Sequence, residues 1–156
     1  MRKYLKFVAA ILAIVGVVMM FFNQVTITWA SNNKEVLNFN ALIGGTYSIG
    51  TSYNGVTSGL VGYILLGVGA IIILLAAIIP YFKEHDILSA VVTGLGVIAI
   101  IVGVFLVFFL RNNFASDNGL VLEKVKFGFA PIVAGSCGGL AALLGGLGVV
   151  LDIAEN

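Results

Sequence analysis

Four long apolar runs constrain this chain more than any other feature of its sequence. They cover residues 5–22, 59–82, 87–110 and 127–151, and the second run, GLVGYILLGVGAIIILLAAIIPYF, contains no charged residue. Each run reaches the length of roughly 18 residues that a membrane-spanning helix needs. Apolar residues make up 60% of the chain and charged residues only 10%, which is typical of an integral membrane protein and excludes a soluble domain.

The runs predict a single membrane domain, residues 1–156, of the membrane all-α class. We expect spans at residues 4–22, 58–82, 87–110 and 129–151, with one long loop at 23–57. Four spans return the chain to the side on which it started, so both termini are expected on one face of the membrane. Pro80 would close span 2, and residues 83–86 would form a tight turn into span 3.

The basic residues at the start of the chain set the predicted orientation. Arg2, Lys3 and Lys6 flank span 1 and favour a cytoplasmic N-terminus, although basic residues over the whole chain divide evenly between the two sides. A signal peptide would begin in the same way, but the apolar core here is longer than a usual signal core. We expect a multi-pass plasma-membrane protein with both termini cytoplasmic. The absence of loop cysteines and glycosylation sequons favours a bacterial membrane.

Alternating apolar and polar residues predict a β-hairpin in the long loop. Val25, Ile27 and Trp29 alternate with threonines, a polar turn follows at residues 31–33, and the alternation resumes over 37–43. An isolated hairpin is only marginally stable in water, so this one needs a partner.

The loop between spans 3 and 4 supplies a candidate partner in residues 120–127, LVLEKVKF. In the first loop, Gly44 and Gly45 would end the second strand, and residues 50–59 would form a flexible approach to span 2. We therefore predict a small extracytoplasmic β-sheet, built from the 1–2 and 3–4 loops, on a left-handed four-helix transmembrane bundle.

Small residues recur at seven-residue spacing in the spans, which keeps one seam of each helix facing its neighbour in a left-handed bundle. Small side chains permit the close approach that holds helices together in lipid. The predicted helix-packing residues are Gly62, Gly69, Gly96, Gly103, Ala134, Gly138, Ala142 and Gly146. The last four form a ladder that would face span 3 or a second copy of the chain. The alternative is that glycine is simply common in membrane helices.

The sequence contains few residues that could support catalysis or bind a cofactor. Cys137 has no base nearby, because the single histidine, His85, falls in the turn between spans 2 and 3. Glu84, His85 and Asp86 lack a second set of metal ligands, and no nucleotide-binding glycine motif is present. We therefore predict no enzymatic activity, no cofactor, no metal site and no nucleic-acid partner.

The spans themselves are expected to hold no ionisable side chain, with Lys6 counted as basic flank and residues 152–156 as a short acidic tail. Ion-coupled transporters usually carry such a group at depth. Ser89 and Thr93 are expected to hydrogen-bond to carbonyls one turn back along their helix.

The segment QVTITWASNNKEVLNFNALIGG, residues 24–45, resembles the first outer loop of the claudin-like tetraspan superfamily. Trp29 matches the tryptophan in the first outer strand of claudins, and Gly44 and Gly45 match the glycine-containing turn. The resemblance implies an outer sheet on a left-handed four-helix bundle and lateral self-association. The chain lacks the family's Gly-Leu-Trp motif and its paired loop cysteines, so paracellular sealing is not implied.

Two functions remain open at this point. The first is a non-enzymatic structural or accessory tetraspan that acts through protein–protein contacts or self-association, with Trp29, Phe39 and Tyr47 as its outer-loop contact residues. The alternative is a small oligomeric channel or transporter subunit. The expected partners are the lipid bilayer, another membrane protein and a second copy of the chain.

Overall fold

Four long helices and a small sheet make up the computed structural model, which describes residues 1–155. The long helices are α1 (Arg2–Val18), α3 (Thr57–Ile78), α5 (Asp86–Phe108) and α7 (Phe129–Ala154). Three short helices connect them: α2 (Asn40–Ile43), α4 (Pro80–Glu84) and α6 (Leu110–Asp117). All four long helices are long and apolar enough to cross a membrane, as predicted.

The long helices form a closed ring in which α1 contacts α3 and α7, and α5 contacts the same two helices. Small residues fill much of the centre of this ring, because close helix approach leaves no room for larger ones. The chain enters and leaves the bundle at one end, here called the termini end, which also holds α4. The strands lie at the opposite end, here called the sheet end.

A three-stranded antiparallel sheet has the order β2-β1-β5, in which β1 is Val25–Thr28, β2 is Lys34–Leu37 and β5 is Val125–Phe127. The third strand therefore does come from the loop between the third and fourth long helices. Asn32 adopts a left-handed conformation, with φ of 62°, in the β1–β2 turn, a conformation that asparagine tolerates better than most residues. One face of the sheet is buried and is formed by Val25, Ile27, Leu37 and Val125.

The second strand of the hairpin is shorter and earlier than the predicted segment 37–43. It ends at Leu37, and Asn40–Ile43 forms the helix α2 instead. Ala41 and Leu42 are both fully buried. Consecutive residues of a strand point to opposite faces, whereas a helical turn can bury both, so the helix satisfies the core where a strand would not.

The segment predicted as a flexible approach to span 2 is ordered. Gly45–Thr46 (β3) pairs with Ser52–Tyr53 (β4) as a second, two-stranded sheet, so Gly45 starts a strand and does not end one. Residues 120–127 yield only a three-residue strand, since Leu122–Lys124 forms a 3-10 turn, in which the Leu122 carbonyl accepts a hydrogen bond from Arg111 Nη2.

The long helices also end at positions other than those predicted. Span 2 stops at Ile78, because Ile79 precedes Pro80 and takes the extended conformation (ψ of 123°) that a following proline favours. Pro80 then opens α4 at a first-turn position. Phe109 separates α5 from α6, a helix that the sequence did not predict.

Candidate functional site

A buried ion pair joins the first and last long helices at the termini end. Lys6 of α1 and Asp152 of α7 are 3% and 1% exposed, and Lys6 Nζ donates to Asp152 Oδ2 at 2.5 Å. Lys6 Nζ also donates to Ser89 Oγ of α5 at 2.7 Å. One ammonium group therefore links three of the four long helices.

Arg2 extends this pair into a wider cluster of charges. Its guanidinium Nη1 lies 2.7 Å from Asp86 Oδ1, 3.2 Å from Glu155 Oε2 and 3.6 Å from Asp152 Oδ1. Arg2 is about a quarter exposed and Glu155 about half exposed, so the cluster runs from the surface down to the buried pair.

A cavity of about 50 Å³ borders the cluster, and its wall includes Ala76 and Ala77 of α3 and Phe82 of α4. The remaining lining residues are Arg2, Lys3, Lys6, Asp86, Ser89 and Asp152. Two small alanines on α3 thus leave an open space beside the buried charge pair.

The cluster overturns two expectations drawn from the sequence. Ionisable side chains do lie inside the bundle: Lys6, counted with the basic flank, is buried, and α7 continues to Ala154, which brings Asp152 into the helix. Ser89 accepts a hydrogen bond from Lys6 instead of bonding to a carbonyl one turn back. The buried Thr93 hydroxyl has no hydrogen-bond partner within residues 1–155.

The spacing of residues in the sequence indicates that both charged side chains lie on buried helix faces. Asp152 lies seven residues after Gly145, which itself lies seven after Gly138, so it continues the buried line of α7. Lys6 lies three residues before the buried Ala9 and on the same face of α1. A charged residue on a buried helical face needs a partner, and these two are the partners.

At the sheet end, a buried hydrogen bond fixes the start of β1 to α3. Tyr63 Oη donates to Gln24 Oε1 at 2.7 Å, and both residues are fully buried. The Gln24 amide in turn donates to the carbonyls of Met19 and Phe22. These bonds satisfy the Gln24 side chain with carbonyls that follow the first helix, and tie the sheet to the bundle.

An aromatic column connects the hairpin to the bundle. Trp29 meets Tyr47 edge-on with ring centroids 5.0 Å apart, and the column continues through Tyr53 to Phe114 of α6 at 4.7 and 5.9 Å. Glu35 accepts a hydrogen bond from Trp29 Nε1 at 3.0 Å. Burial, and next the nearby Glu35 charge, raise the pKa of the Tyr47 phenol above its usual value.

The three predicted outer-loop contact residues make most of their contacts within the chain itself. Tyr47 is buried in the column, Trp29 is half-buried against it, and Phe39 packs on Phe21 at 5.5 Å. These rings brace the sheet, and Tyr47 leaves almost no surface for a partner.

The predicted glycines of α3 and α5 face each other in two reciprocal pairs. A Cβ added to Gly103 would lie 2.6 Å from the Gly62 carbonyl oxygen, and one added to Gly69 would lie 2.6 Å from that of Gly96. The two backbones therefore approach as closely as glycine permits.

The predicted ladder on α7 follows the helix interface only in its first half. Ala134 and Gly138 are buried, and a Cβ on Gly138 would meet Val104 and Leu66. The buried line then continues through Ala141, Gly145 and Gly148, since a period near 3.5 residues tracks the interface better than steps of four. Ala142 is only half-buried, and a Cβ on Gly146 would meet nothing within 4 Å.

The Phe108 ring of α5 lies over Gly135 while remaining 43% exposed, and Phe105 is 60% exposed. Cys137 is half-buried on α7. His85 stacks on Tyr81 at 4.3 Å, and within residues 1–155 no three metal-ligating side chains converge.

Comparison with known proteins identifies no related protein. No family model matches the chain, and no curated protein or solved structure is significantly similar to it. Functional inference therefore depends on the geometry of the chain alone.

Proposed function

We propose that this chain is a non-enzymatic accessory membrane protein that acts through contacts in the plane of the membrane, above all with a second copy of itself. The open face of α7 carries this proposal. Gly139 and Gly146 lie seven residues apart, and a Cβ at either position would meet nothing within 4 Å. A glycine that faces lipid gives its own fold no packing contact, but it lets the backbone of another helix approach.

The division of the small residues on α7 into two lines supports this reading. Gly138 and Gly145 belong to the line that packs inside the chain, against Val104 and Val97 of α5. Gly139 and Gly146 follow each of them by one residue and form a second, unoccupied line. A left-handed contact between two copies would use this second line, as would a contact with another tetraspan.

Self-association can be tested separately from folding by two matched leucine variants. We expect Gly146→Leu to shift the purified protein from dimer to monomer in detergent while its melting temperature stays near that of the parent. Gly145→Leu, one residue away, should instead lower the melting temperature, because Val97 lies 2.7 Å from its added Cβ. Light scattering of the detergent complex and thermal unfolding measure the two effects. A parent that is monomeric in this measurement would contradict the proposal.

The proposed orientation puts both termini in the cytoplasm, the sheet end outside and the bundle in a left-handed arrangement. The basic flank at Arg2, Lys3 and Lys6 supports it. The membrane would be a plasma membrane, with a bacterial one favoured, and the resemblance to the claudin-like tetraspans agrees with this arrangement.

Single cysteines placed at Asn33 and at Glu84, each in a Cys137→Ala background, test the orientation. An impermeant thiol reagent applied to intact cells should label position 33 and leave position 84 unlabelled. After the cells are opened, both positions should react, since both side chains are exposed. The reverse pattern in intact cells would invert the proposed topology.

A small oligomeric channel or transporter subunit is the second candidate, and the Lys6–Asp152 pair favours it. Charged side chains inside a membrane helix often mark an ion or proton path. Purified protein in liposomes distinguishes the two functions: a selective ion flux that is lost in Asp152→Asn would establish the second, whereas tight vesicles agree with the first.

A further inference from the structure

The strands β1 and β5 rise directly from the ends of α1 and α7. The Gly128 amide donates to the Gln24 carbonyl at 2.9 Å, and the Ala130 amide donates to the Asn23 carbonyl at 3.0 Å. Each cross-strand row of paired residues is here called a rung of the sheet, counted from the bundle. Just below the first rung, Phe22 and Phe129 form a ring pair 6.1 Å apart, and they are 44% and 52% exposed. Phe22 ends the first apolar run and Phe129 begins α7, so this apolar ring pair lies at the edge of the hydrocarbon core at the sheet end.

The solvent-facing side of the sheet carries two lysines farther from the bundle than the first rung. Lys126 lies beside Thr26 on the second rung, and Lys34 lies beside Thr28 on the fourth. Strand residues rise about 3.3 Å each. Lys126 therefore lies about 3 Å above the first rung and Lys34 about 10 Å above it. Both side chains are exposed.

The negative charge of the sheet is turned away from these lysines. Glu35, the carboxylate within the strands, is on the opposite face, where it accepts hydrogen bonds from Trp29 and from the Ser48 amide. Within residues 1–155, neither Lys34 nor Lys126 forms an ion pair, in contrast to Arg2 and Lys6 at the other end. The solvent-facing side of the three strands thus presents two lysines without an ion-pair partner among the described residues, one about 3 Å and one about 10 Å above the first rung.

From these observations we infer that the lysine face, defined by Lys34 and Lys126, binds the phosphate of anionic phospholipid headgroups in the leaflet at the sheet end. The headgroup region extends about 5–8 Å beyond the hydrocarbon core on each side. Lys126 lies within that depth, and the flexible stem of Lys34 can bend down into it. The aromatic pair below would contact the upper acyl chain of the same lipid. This inference does not require a protein partner and is independent of the self-association proposed above.

The test titrates phosphatidylglycerol or phosphatidylcholine into protein purified in a neutral detergent and counts bound lipids by native mass spectrometry. The parent should bind phosphatidylglycerol more tightly than phosphatidylcholine. A basic residue near an anionic surface contributes about five-fold in affinity, so Lys34→Gln together with Lys126→Gln should weaken phosphatidylglycerol binding about 25-fold. Both side chains are exposed, and the melting temperature of the double variant should match that of the parent.

Lys3→Gln is the matched control, because Lys3 is exposed at the opposite end of the bundle. It should change phosphatidylglycerol affinity less than two-fold. An equal loss in Lys3→Gln would mean that net charge alone sets the affinity, which overturns the inference. Equal binding of the two lipids by the parent would overturn it as well. Displacement of the lipid by millimolar inorganic phosphate would identify free phosphate as the ligand and exclude the headgroup assignment.

Discussion

Asp152→Leu should destabilise this protein by about 3–5 kcal/mol, since it leaves the Lys6 ammonium buried without its carboxylate. Lys6 is 3% exposed, and only the Ser89 hydroxyl would remain to accept a hydrogen bond from it. Lys6→Met should cost less than Asp152→Leu, because Asp152 would keep Arg2 at 3.6 Å as a second cation. Unfolding by denaturant in detergent, followed by circular dichroism, measures both free energies.

The double variant Lys6→Met with Asp152→Leu distinguishes the effect of leaving one charge unpaired from the effect of lost packing on the free energy of unfolding. Replacing a whole buried pair by apolar side chains is often neutral or stabilising, so this variant should recover most of the stability lost in Asp152→Leu. A double variant less stable than either single one would show that the ion pair contributes more stability than the apolar side chains that replace it. If Asp152→Leu unfolds like the parent, the pair is not buried in solution and the description of the termini end is wrong.

The features of the fold that follow from local periodicity could be predicted from the sequence. Long runs without charge indicate spans by themselves, and the alternation around Trp29 indicates a strand. Helix ends were less predictable, because they depend on single residues such as Pro80 and on breaks such as Phe109. The helix α2 was missed for a different reason: the burial of both Ala41 and Leu42 is a tertiary requirement that alternation does not carry.

The candidate sites could not be predicted in the same way, because they are formed by side-chain contacts between distant segments, and a single sequence gives little information about such contacts. Lys6 and Asp152 are 146 residues apart in the sequence. Because each is near an end of the chain, its position alone indicates an ordinary charge that faces the lipid headgroups. Gly138 and Gly139 illustrate the same limit at the scale of one residue. Both are glycines in one helix, but only Gly138 meets a neighbouring side chain. The direction in which a helix face points is set by its neighbours, so small-residue spacing alone could not assign the ladder correctly.

Gly103→Ala should destabilise the protein, because overpacking a tight contact costs about 1–3 kcal/mol. The new methyl group would lie 2.6 Å from the Gly62 carbonyl oxygen and 3.2 Å from the Leu66 amide nitrogen. Both are backbone atoms and cannot rotate away, so α3 and α5 would have to separate. Alanine gains roughly 1 kcal/mol over glycine in helix propensity, so the expected net loss of stability is up to about 2 kcal/mol.

Gly94→Ala on the same helix should have the opposite sign. A Cβ at Gly94 meets nothing within 4 Å, so only the propensity gain of up to about 1 kcal/mol remains and the melting temperature should rise. Gly138→Ala should fall between the two, because the atom it would meet, Val104 Cγ2 at 2.5 Å, belongs to a side chain that can turn aside. Thermal unfolding of the three variants in one detergent ranks them. If Gly103→Ala and Gly94→Ala shift the melting temperature alike, the α3–α5 backbones are farther apart than described. The seam between them would then be held by the larger side chains around it, such as Leu66 and Ile100.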